Sequence, residues 1–379
     1  VDDQQGGGAL VAIQHAVAGV AVERHQRGVG EKGRHLDQVV AAHAGVVEDV
    51  EDVAPALLHL RFGVTGHRDL KADETPEIRA RVRALFLDLQ ERFPSRKLRL
   101  LSQLAEGADR LVANVAMELG MELSVVMPMP RSIYHTEFSS EESIDEFDAL
   151  YAQANDVFEL PIARNGTIES ISQPGRARDL QYAQMGVFLS AHCHILLALW
   201  DGKTSGQLGG TAQVVRFHHD DIMPGYTPKT VATQQMLVDD ESDLVYHIVC
   251  SRDRPGGEPE KGLEPLECSW FTKHETNPRT ASLPEQHDRI FRRSSDFSYD
   301  AMRFSSEIEA EKYSLLGDGD NQAPGLKNIN YVFGLADWLA IHYQKLTRLH
   351  YLPKNVNRMS AILHYKNLYP GVFDQVFGY

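Results

Sequence analysis

Phe62-Gly63-Val64-Thr65-Gly66-His67-Arg68-Asp69 is the stretch that decides the fold, because it has the pattern of a buried strand that ends in a glycine-containing turn. A second apolar run, Leu196-Leu197-Ala198-Leu199-Trp200-Asp201-Gly202, is followed by Gly206-Gln207-Leu208-Gly209-Gly210-Thr211. In an open α/β sheet, a strand that leads through such a turn into a helix presents backbone N–H groups to a phosphate. Two such turns predict a site for a nucleotide or a nucleotide-derived ligand.

Strand-like and helix-like segments alternate from residue 58 onward. The predicted strands cover residues 58–64, 98–101, 123–127, 157–160, 193–200 and 244–250, and the predicted helices cover 76–93, 107–119, 143–154, 178–190 and 210–218. This alternation predicts an α/β fold with a doubly wound, mostly parallel, Rossmann-like sheet. Apolar residues at helical spacing between Tyr331 and Leu349 predict a C-terminal helical extension.

The composition divides the chain into four parts. Residues 1–57 contain no Phe, Tyr, Trp, Ser, Thr, Asn, Met or Cys, so we expect a poorly ordered or non-native N-terminal extension, with a helical arm as the alternative. Residues 58–252 form the predicted nucleotide-binding domain. The Pro-, Gly- and Glu-rich region 253–297 is predicted as a loop or linker, and 298–379 as the helical region.

Charge and cysteine content exclude several classes of protein. The chain has 38 basic and 53 acidic residues and a net charge of −15, which disfavours binding to duplex nucleic acid. The three cysteines are far apart, and the sequence has no Cys/His spacing typical of a metal site. We therefore expect a cytoplasmic protein with no metal and no obligatory cofactor. From the sequence we expect no membrane span and no signal peptide.

The first turn supplies five candidate ligand-binding residues: Gly63, Thr65, Gly66, His67 and Arg68. Gly66 permits a positive φ and a close approach of a ligand to the backbone. Arg68 has the geometry for a bidentate contact with a phosphate, and Thr65 and His67 can add hydrogen bonds. The alternative is an ordinary strand-to-helix turn with an arginine on the surface.

Three further candidates, Glu106, Gly107 and Asp109, follow the second predicted strand. Gly107 lets the chain pass close to a neighbour or a ligand. Asp109 lies near a helix start, where it either caps the helix or contacts a ribose hydroxyl.

The second turn adds Asp201, Gly209, Gly210 and Thr211. Asp201 is at the carboxyl end of the most apolar strand, where open α/β sheets bind ligands. Thr211 is either a hydroxyl donor to a phosphate or a helix cap. Arg252 and Arg254, after the last strand, are interpreted as surface residues.

These segments resemble the SLOG superfamily, a Rossmann-like group that includes the Smf/DprA domain and the LOG phosphoribohydrolases. The resemblance rests on Gly63–Leu70, on Glu106–Asp109, on the strand end Val125–Pro128 and on the segment 197–211, and it covers roughly residues 58–252. It implies a nucleotide-derived ligand at the carboxyl edge of the sheet. For several prokaryotic relatives it also implies a sensor role in conflict systems.

The sequence departs from the LOG pattern at one important place. LOG enzymes carry Pro-Gly-Gly-x-Gly-Thr-x-x-Glu, whose glutamate takes part in hydrolysis, whereas this chain has Leu208-Gly209-Gly210-Thr211-Ala212-Gln213 and no glutamate at the helix start. We therefore expect a binding or sensing protein, with the C-terminal helices as a surface for a partner effector or for homo-oligomerisation. The alternatives are a LOG-like hydrolase, in which Glu106 or Asp201 replaces the missing carboxylate, and a DprA-like binder of single-stranded nucleic acid.

Overall fold

The computed structural model describes residues 59–163, 166–204, 206–220, 222–227, 243–273, 279–314 and 324–350, with side chains at 330–345 of the last range. The extension predicted at 1–57 and the end of the predicted helical region, 351–379, lie outside the described residues.

The described strands form one seven-stranded sheet in the order β4-β3-β2-β1-β5-β6-β7. Their bounds are β1 (His59–Gly66), β2 (Lys97–Ser102), β3 (Glu122–Met127), β4 (Asp156–Glu159), β5 (Ile195–Trp200), β6 (Val245–Val249) and β7 (Cys268–Phe271). Neighbouring strands from β4 to β6 are parallel, whereas β7 runs antiparallel to β6. The predicted doubly wound, mostly parallel sheet is therefore confirmed.

Helices cover both faces of this sheet. They are α1 (Thr75–Arg92), α2 (Ala108–Glu118), α3 (Arg131–Tyr134), α4 (Glu141–Ala152), α5 (Ile168–Ile171), α6 (Arg176–His192), α7 (Thr211–Asp220), α8 (Glu285–Arg303), α9 (Ser305–Glu311) and α10 (Pro324–His350), with a 3₁₀ turn at His135–Glu137. Among these helices, none is both long and apolar enough to cross a bilayer.

Strand β5 explains how the sheet is buried. Ile195, Leu197 and Leu199 belong to the core beneath α1 and α2, while Leu196 and Ala198 belong to the core beneath α6 and α7. Successive side chains of a strand point to opposite faces, so an unbroken apolar run is what a strand covered on both sides requires.

The strand order places a crevice between β1 and β5. From β1 the chain adds β2, β3 and β4 on one side, and it then returns to add β5, β6 and β7 on the other side. The connections that leave the carboxyl ends of β1 and β5 therefore diverge, and in open α/β sheets ligands bind at this point.

The region predicted as a loop, 253–297, contains more structure than expected. It includes β7 and the first thirteen residues of α8. Trp270 of β7 packs edge-on against Tyr246 of β6, with ring centroids 4.7 Å apart. A four-residue strand between Pro- and Gly-rich segments is too short to show an alternating pattern, so β7 could not be predicted from the sequence. The division into domains itself stays a prediction.

The helices that follow are attached to the sheet domain through α8. Phe291 packs edge-on against Phe93, and Arg92 forms an ion pair with Asp288 at 3.0 Å. The predicted apolar stripe on α10 is buried in part, because Leu335 and Leu339 pack with Ile308 of α9. The helical extension is thus present within the described residues.

Candidate functional site

A cleft of about 730 Å³ opens at the carboxyl ends of β1 and β5. Pockets that hold small ligands have volumes of roughly 300–1,000 Å³, so this cleft has the size of a ligand site. Its walls come from the turn after β1, the loop 201–212 after β5, the first two turns of α6 and the segment 252–254.

The cleft is locally cationic in an acidic chain. Its walls carry five cationic side chains and four carboxylates, although the whole chain has a net charge of −15. The cationic residues are Arg68, Arg178, Lys203, Arg252 and Arg254, and the acidic residues are Asp69, Glu137, Asp179 and Asp201. This local segregation of charge suits a small anion better than an extended polyanion.

Gly66 has a different role from the one predicted. It lies at the end of β1 without a positive φ, and a Cβ atom there would overlap the Cβ of Ala108 and lie 2.9 Å from the Leu199 carbonyl oxygen. The glycine therefore admits the start of α2 against the sheet, although the residue also lines the cleft.

Arg68 is held in the cleft wall by two polar neighbours. Its guanidinium donates to Glu137 Oε2 at 3.2 Å and to the Tyr182 hydroxyl at 3.2 Å, and it lies 5.6 Å from the centre of the Tyr182 ring. Burial raises the pKa of Tyr182 to about 12 despite the adjacent Arg68, so the phenol stays protonated. The arginine is thereby pre-positioned at the cleft surface with part of its side chain open to solvent.

Asp109 lies behind Arg68 and does not line the cleft. Asp109 is 2% exposed, and its Oδ2 has no hydrogen-bond partner among the described residues. Burial raises the pKa of Asp109 to about 7, although the nearby Arg68 opposes that shift. Asp109 is thus a buried residue at the start of α2, directly after the β2–α2 turn.

His67 and Asp201 meet across the two turns. Asp201 N–H donates to His67 Nε2 at 3.1 Å, and Asp201 Oδ1 lies 3.2 Å from the same nitrogen. Burial lowers the pKa of His67 even though Asp201 opposes the effect, so the imidazole is neutral at pH 7. Lys203 N–H also donates to Asp201 Oδ1 at 3.1 Å, and this bond fixes the carboxylate at the floor of the cleft.

Four predicted residues do not line the cleft: Asp109, Gly107, Gly63 and Glu106. Gly63 is inside β1, where a Cβ atom would be 2.8 Å from Leu189 of α6, so it serves packing between the strand and the helix. Glu106 accepts hydrogen bonds from the Ser139 N–H and hydroxyl, both at 2.7 Å, and from the Ser143 hydroxyl. Glu106 thus ties the β2–α2 turn to the start of α4.

All four residues predicted from the second turn, Asp201, Gly209, Gly210 and Thr211, line the cleft. Gly209, with a φ of 75°, packs so closely on α6 that a Cβ atom would be 2.7 Å from the Ala183 nitrogen. Gly210 precedes α7, and its carbonyl oxygen accepts from the Val214 N–H at 3.1 Å. Within the described residues, no acceptor pairs with the N–H groups of Thr211 and Ala212, which line the cleft.

The structure adds residues that the sequence analysis missed. Helix α6 begins after Gly175, which has no side-chain cap, and its face along Gly175, Arg178 and Tyr182 lines the cleft. Glu137 reaches the cleft from the 3₁₀ turn, where it pairs with Arg178. One sequence pattern could have indicated the start of α6 as a candidate site: a glycine directly before a helix that has an arginine in its first turn.

Arg254 is exposed, as predicted, whereas Arg252 is half-buried. Both line the cleft, and Arg252 donates to Asp69 Oδ1 at 2.8 Å while the Asp253 N–H donates to the Asp69 carbonyl oxygen at 2.7 Å. The aspartate at the end of the first turn therefore anchors the 252–254 segment as one wall. Only the fold could show that these distant segments meet.

No family model and no curated protein matches this sequence. Among solved structures, the X-ray structure of DNA processing protein A (DprA) from Streptococcus pneumoniae is similar over 38% of this chain and 42% of that chain, with 14% sequence identity and a TM-score of 0.26. The match thus spans less than half of that solved chain. A likeness at this TM-score says nothing about function, which must be inferred from the cleft itself.

Proposed function

We propose that the cleft binds a nucleotide-derived ligand and that the protein acts as a sensor of that ligand. The observation that supports this proposal is the N-terminus of α7, whose first residues, Thr211 and Ala212, line a locally cationic cleft at the point where the chain connections diverge. Such a helix terminus combines unpaired donors with the positive end of the helix dipole, and it stabilises a phosphate.

The rest of the cleft is consistent with a ligand larger than a free anion. Trp200, Tyr182 and Leu208 offer apolar surface beside the charged groups. Aromatic surface next to a phosphate site suits a base or a ribose. The partly open Arg68 side chain supplies a cation in the same cleft.

Binding without cleavage is favoured by the residue that replaces the LOG glutamate. The position three residues after Thr211 is Val214, which is 3% exposed and packs in the core beneath α6 and α7. A buried valine supplies no acid or base. Glu106, one of the two substitutes considered from the sequence, hydrogen-bonds to serines outside the cleft.

Calorimetry with folded protein and a panel of nucleoside monophosphates, diphosphates, ADP-ribose and cyclic nucleotides tests the proposal. At least one nucleotide should bind at a single site. If none binds, the proposal is wrong. Affinity for single-stranded oligonucleotides that falls steeply with salt would instead support the nucleic-acid alternative.

Gly210→Asp gives a sharper test of the phosphate position. An aspartate directly before a helix is a good cap, so this change should alter the stability of the protein by no more than a few tenths of a kcal/mol. The carboxylate would also occupy the anion position and should abolish nucleotide binding. Gly210→Ser, a neutral cap, is the matched control and should weaken binding much less.

Asp201 is the residue that favours the alternative function, a LOG-like nucleotide hydrolase. It is 3% exposed, lines the cleft and lies against His67, and these contacts support a role in acting on a bound ligand. A hydrolase would add water across the N-glycosidic bond and release the free base and ribose 5-phosphate. Chromatography of incubations with each nucleoside monophosphate tests this; base release that is lost in Asp201→Asn would favour the hydrolase.

A further inference from the structure

Glu137 is held between two arginines in the wall of the cleft. Arg68 donates to its Oε2 at 3.2 Å, and Arg178 contacts its Oε1. We call Arg68, Glu137 and Arg178 the arginine clamp. One carboxylate cannot neutralise two guanidinium groups, so the clamp retains a net positive charge.

Arg178 has hydrogen-bonding capacity that the described residues do not use. Its side chain donates through Nε to the Ile171 carbonyl oxygen at 2.7 Å, and it is 7% exposed. Its second terminal nitrogen has no hydrogen-bond partner among the described residues, although the residue lines the cleft. Leaving a buried charged donor unpaired is costly, so this nitrogen is an unused contact for an anion.

Arg178 also lies in the first turn of α6. This helix begins after Gly175 without a side-chain cap, and Gly175 itself lines the cleft. The helix dipole and the unpaired first-turn N–H groups add to the charge of Arg178. The clamp and this helix terminus therefore form one anion-binding region.

This region is separate from the N-terminus of α7. Gly209, at the start of the α7 approach, packs against Tyr182 of α6, whereas Gly175 is seven residues earlier in the same helix. At 1.5 Å rise per residue, Gly175 is on the order of 10 Å along α6 from the point that Gly209 contacts. That separation is comparable with the span of a nucleoside.

We propose that the ligand carries two phosphates separated by about one nucleoside, the second of which displaces Glu137 from the arginine clamp and binds Arg68, Arg178 and the start of α6. This inference rests on the proposed function, because the first phosphate occupies the start of α7. Glu137 then acts as an internal anion that competes with the second phosphate.

Calorimetry with matched pairs of ligands tests the proposal. The probes are the four nucleoside 3′,5′-bisphosphates and the corresponding 5′-monophosphates. For the base that the cleft accepts, the bisphosphate should bind about tenfold more tightly or better, which corresponds to about 1.4 kcal/mol. Equal affinities would overturn this inference but leave the proposed function intact, whereas absence of all binding would overturn both.

Substitutions in the clamp provide the second arm. Glu137→Gln removes the competing charge, so the ratio of bisphosphate to monophosphate affinity should rise further, by about tenfold. Arg178→Lys should lower the same ratio. Glu146→Gln is the control, because Glu146 pairs with the buried Arg110 outside the cleft and should leave the ratio unchanged. A ratio that falls or stays constant in Glu137→Gln contradicts the proposal, whether or not Arg178→Lys folds.

Discussion

The backbone of Gly107 lies directly against the backbone of Arg68, and a Cβ atom at position 107 would overlap the Arg68 carbonyl oxygen. Gly107 has a φ of 78°, a conformation that side chains rarely adopt, and it leads into α2. The Ala108 N–H donates to the His67 carbonyl oxygen at 3.0 Å. The β2–α2 turn therefore sets the position of the β1 turn and of the arginine that it presents to the cleft.

Gly107→Ala should be among the more harmful single changes near the cleft. It combines backbone strain with a steric overlap that requires the Arg68 backbone to move, so we expect a loss of about 2–4 kcal/mol in the free energy of unfolding. Urea denaturation measures it. Gly120→Ala is the matched control, because Gly120 has a φ of 68° but nothing within 4 Å of its Cβ position. A loss no greater than that of the control would show that the contact is unimportant.

Arg68→Ala should abolish or strongly weaken ligand binding with little effect on stability. Its side chain is 39% exposed and its ion pair is screened by solvent, so its loss should cost less than about 1 kcal/mol of stability. A charged hydrogen bond to a phosphate contributes about 1.5–3 kcal/mol, so affinity should fall roughly ten- to hundredfold by calorimetry.

Arg131→Ala is the control for that measurement. Arg131 also pairs with one carboxylate, Asp148, and lies over one tyrosine ring, Tyr151, but it does not line the cleft. It should lower stability by a similar small amount and leave affinity unchanged. Equal affinities for wild type and Arg68→Ala would show that Arg68 does not contact the ligand.

The sequence was sufficient for six of the seven strands and for the two turns, because apolar runs and helical periodicity are local signals. It could not distinguish a glycine that admits a ligand from one that admits a helix: Gly66 and Gly107 are both needed for contacts between distant segments. It also could not show that Glu137, Arg178 and Arg252 reach the same cleft, because their meeting depends on the strand order. Glu106 had the residue type of a ligand contact but instead forms hydrogen bonds with the start of α4.

Asp109 should make the free energy of unfolding fall as the pH rises. Burial raises its pKa from 3.8 to about 7, so the carboxyl contributes stability that is fully present below pH 3.8 and is lost as the pH rises through about 7. The unfolding free energy of wild type minus that of Asp109→Asn should therefore fall by a few kcal/mol between pH 4 and pH 8. A difference that does not change with pH would show that the pKa of Asp109 is near its ordinary value.

The three cysteines should differ in reactivity. Cys193 and Cys250 are buried, and burial raises the pKa of the Cys193 thiol to about 12 and that of Cys250 still further. Cys268 is partly exposed, with a pKa raised by the same cause. Because the thiolate is the reactive form, an aromatic disulfide reagent at pH 8 should modify no more than one thiol in folded protein, and Cys268→Ser should remove that reaction. Rapid labelling of two or three thiols in the native state would contradict the packing of β5 and β6.

The central claim is that the start of α7 binds a phosphate of a nucleotide-derived ligand. The most direct measurement is a crystal structure of the protein with the nucleotide that binds most tightly in calorimetry. We predict phosphate oxygens within about 3 Å of the Thr211 and Ala212 nitrogens, as expected for N–H···O hydrogen bonds, with the nucleoside in the cleft between α6 and the β1 turn. A nucleotide bound with its phosphates elsewhere, and with those N–H groups facing only solvent, would contradict the account.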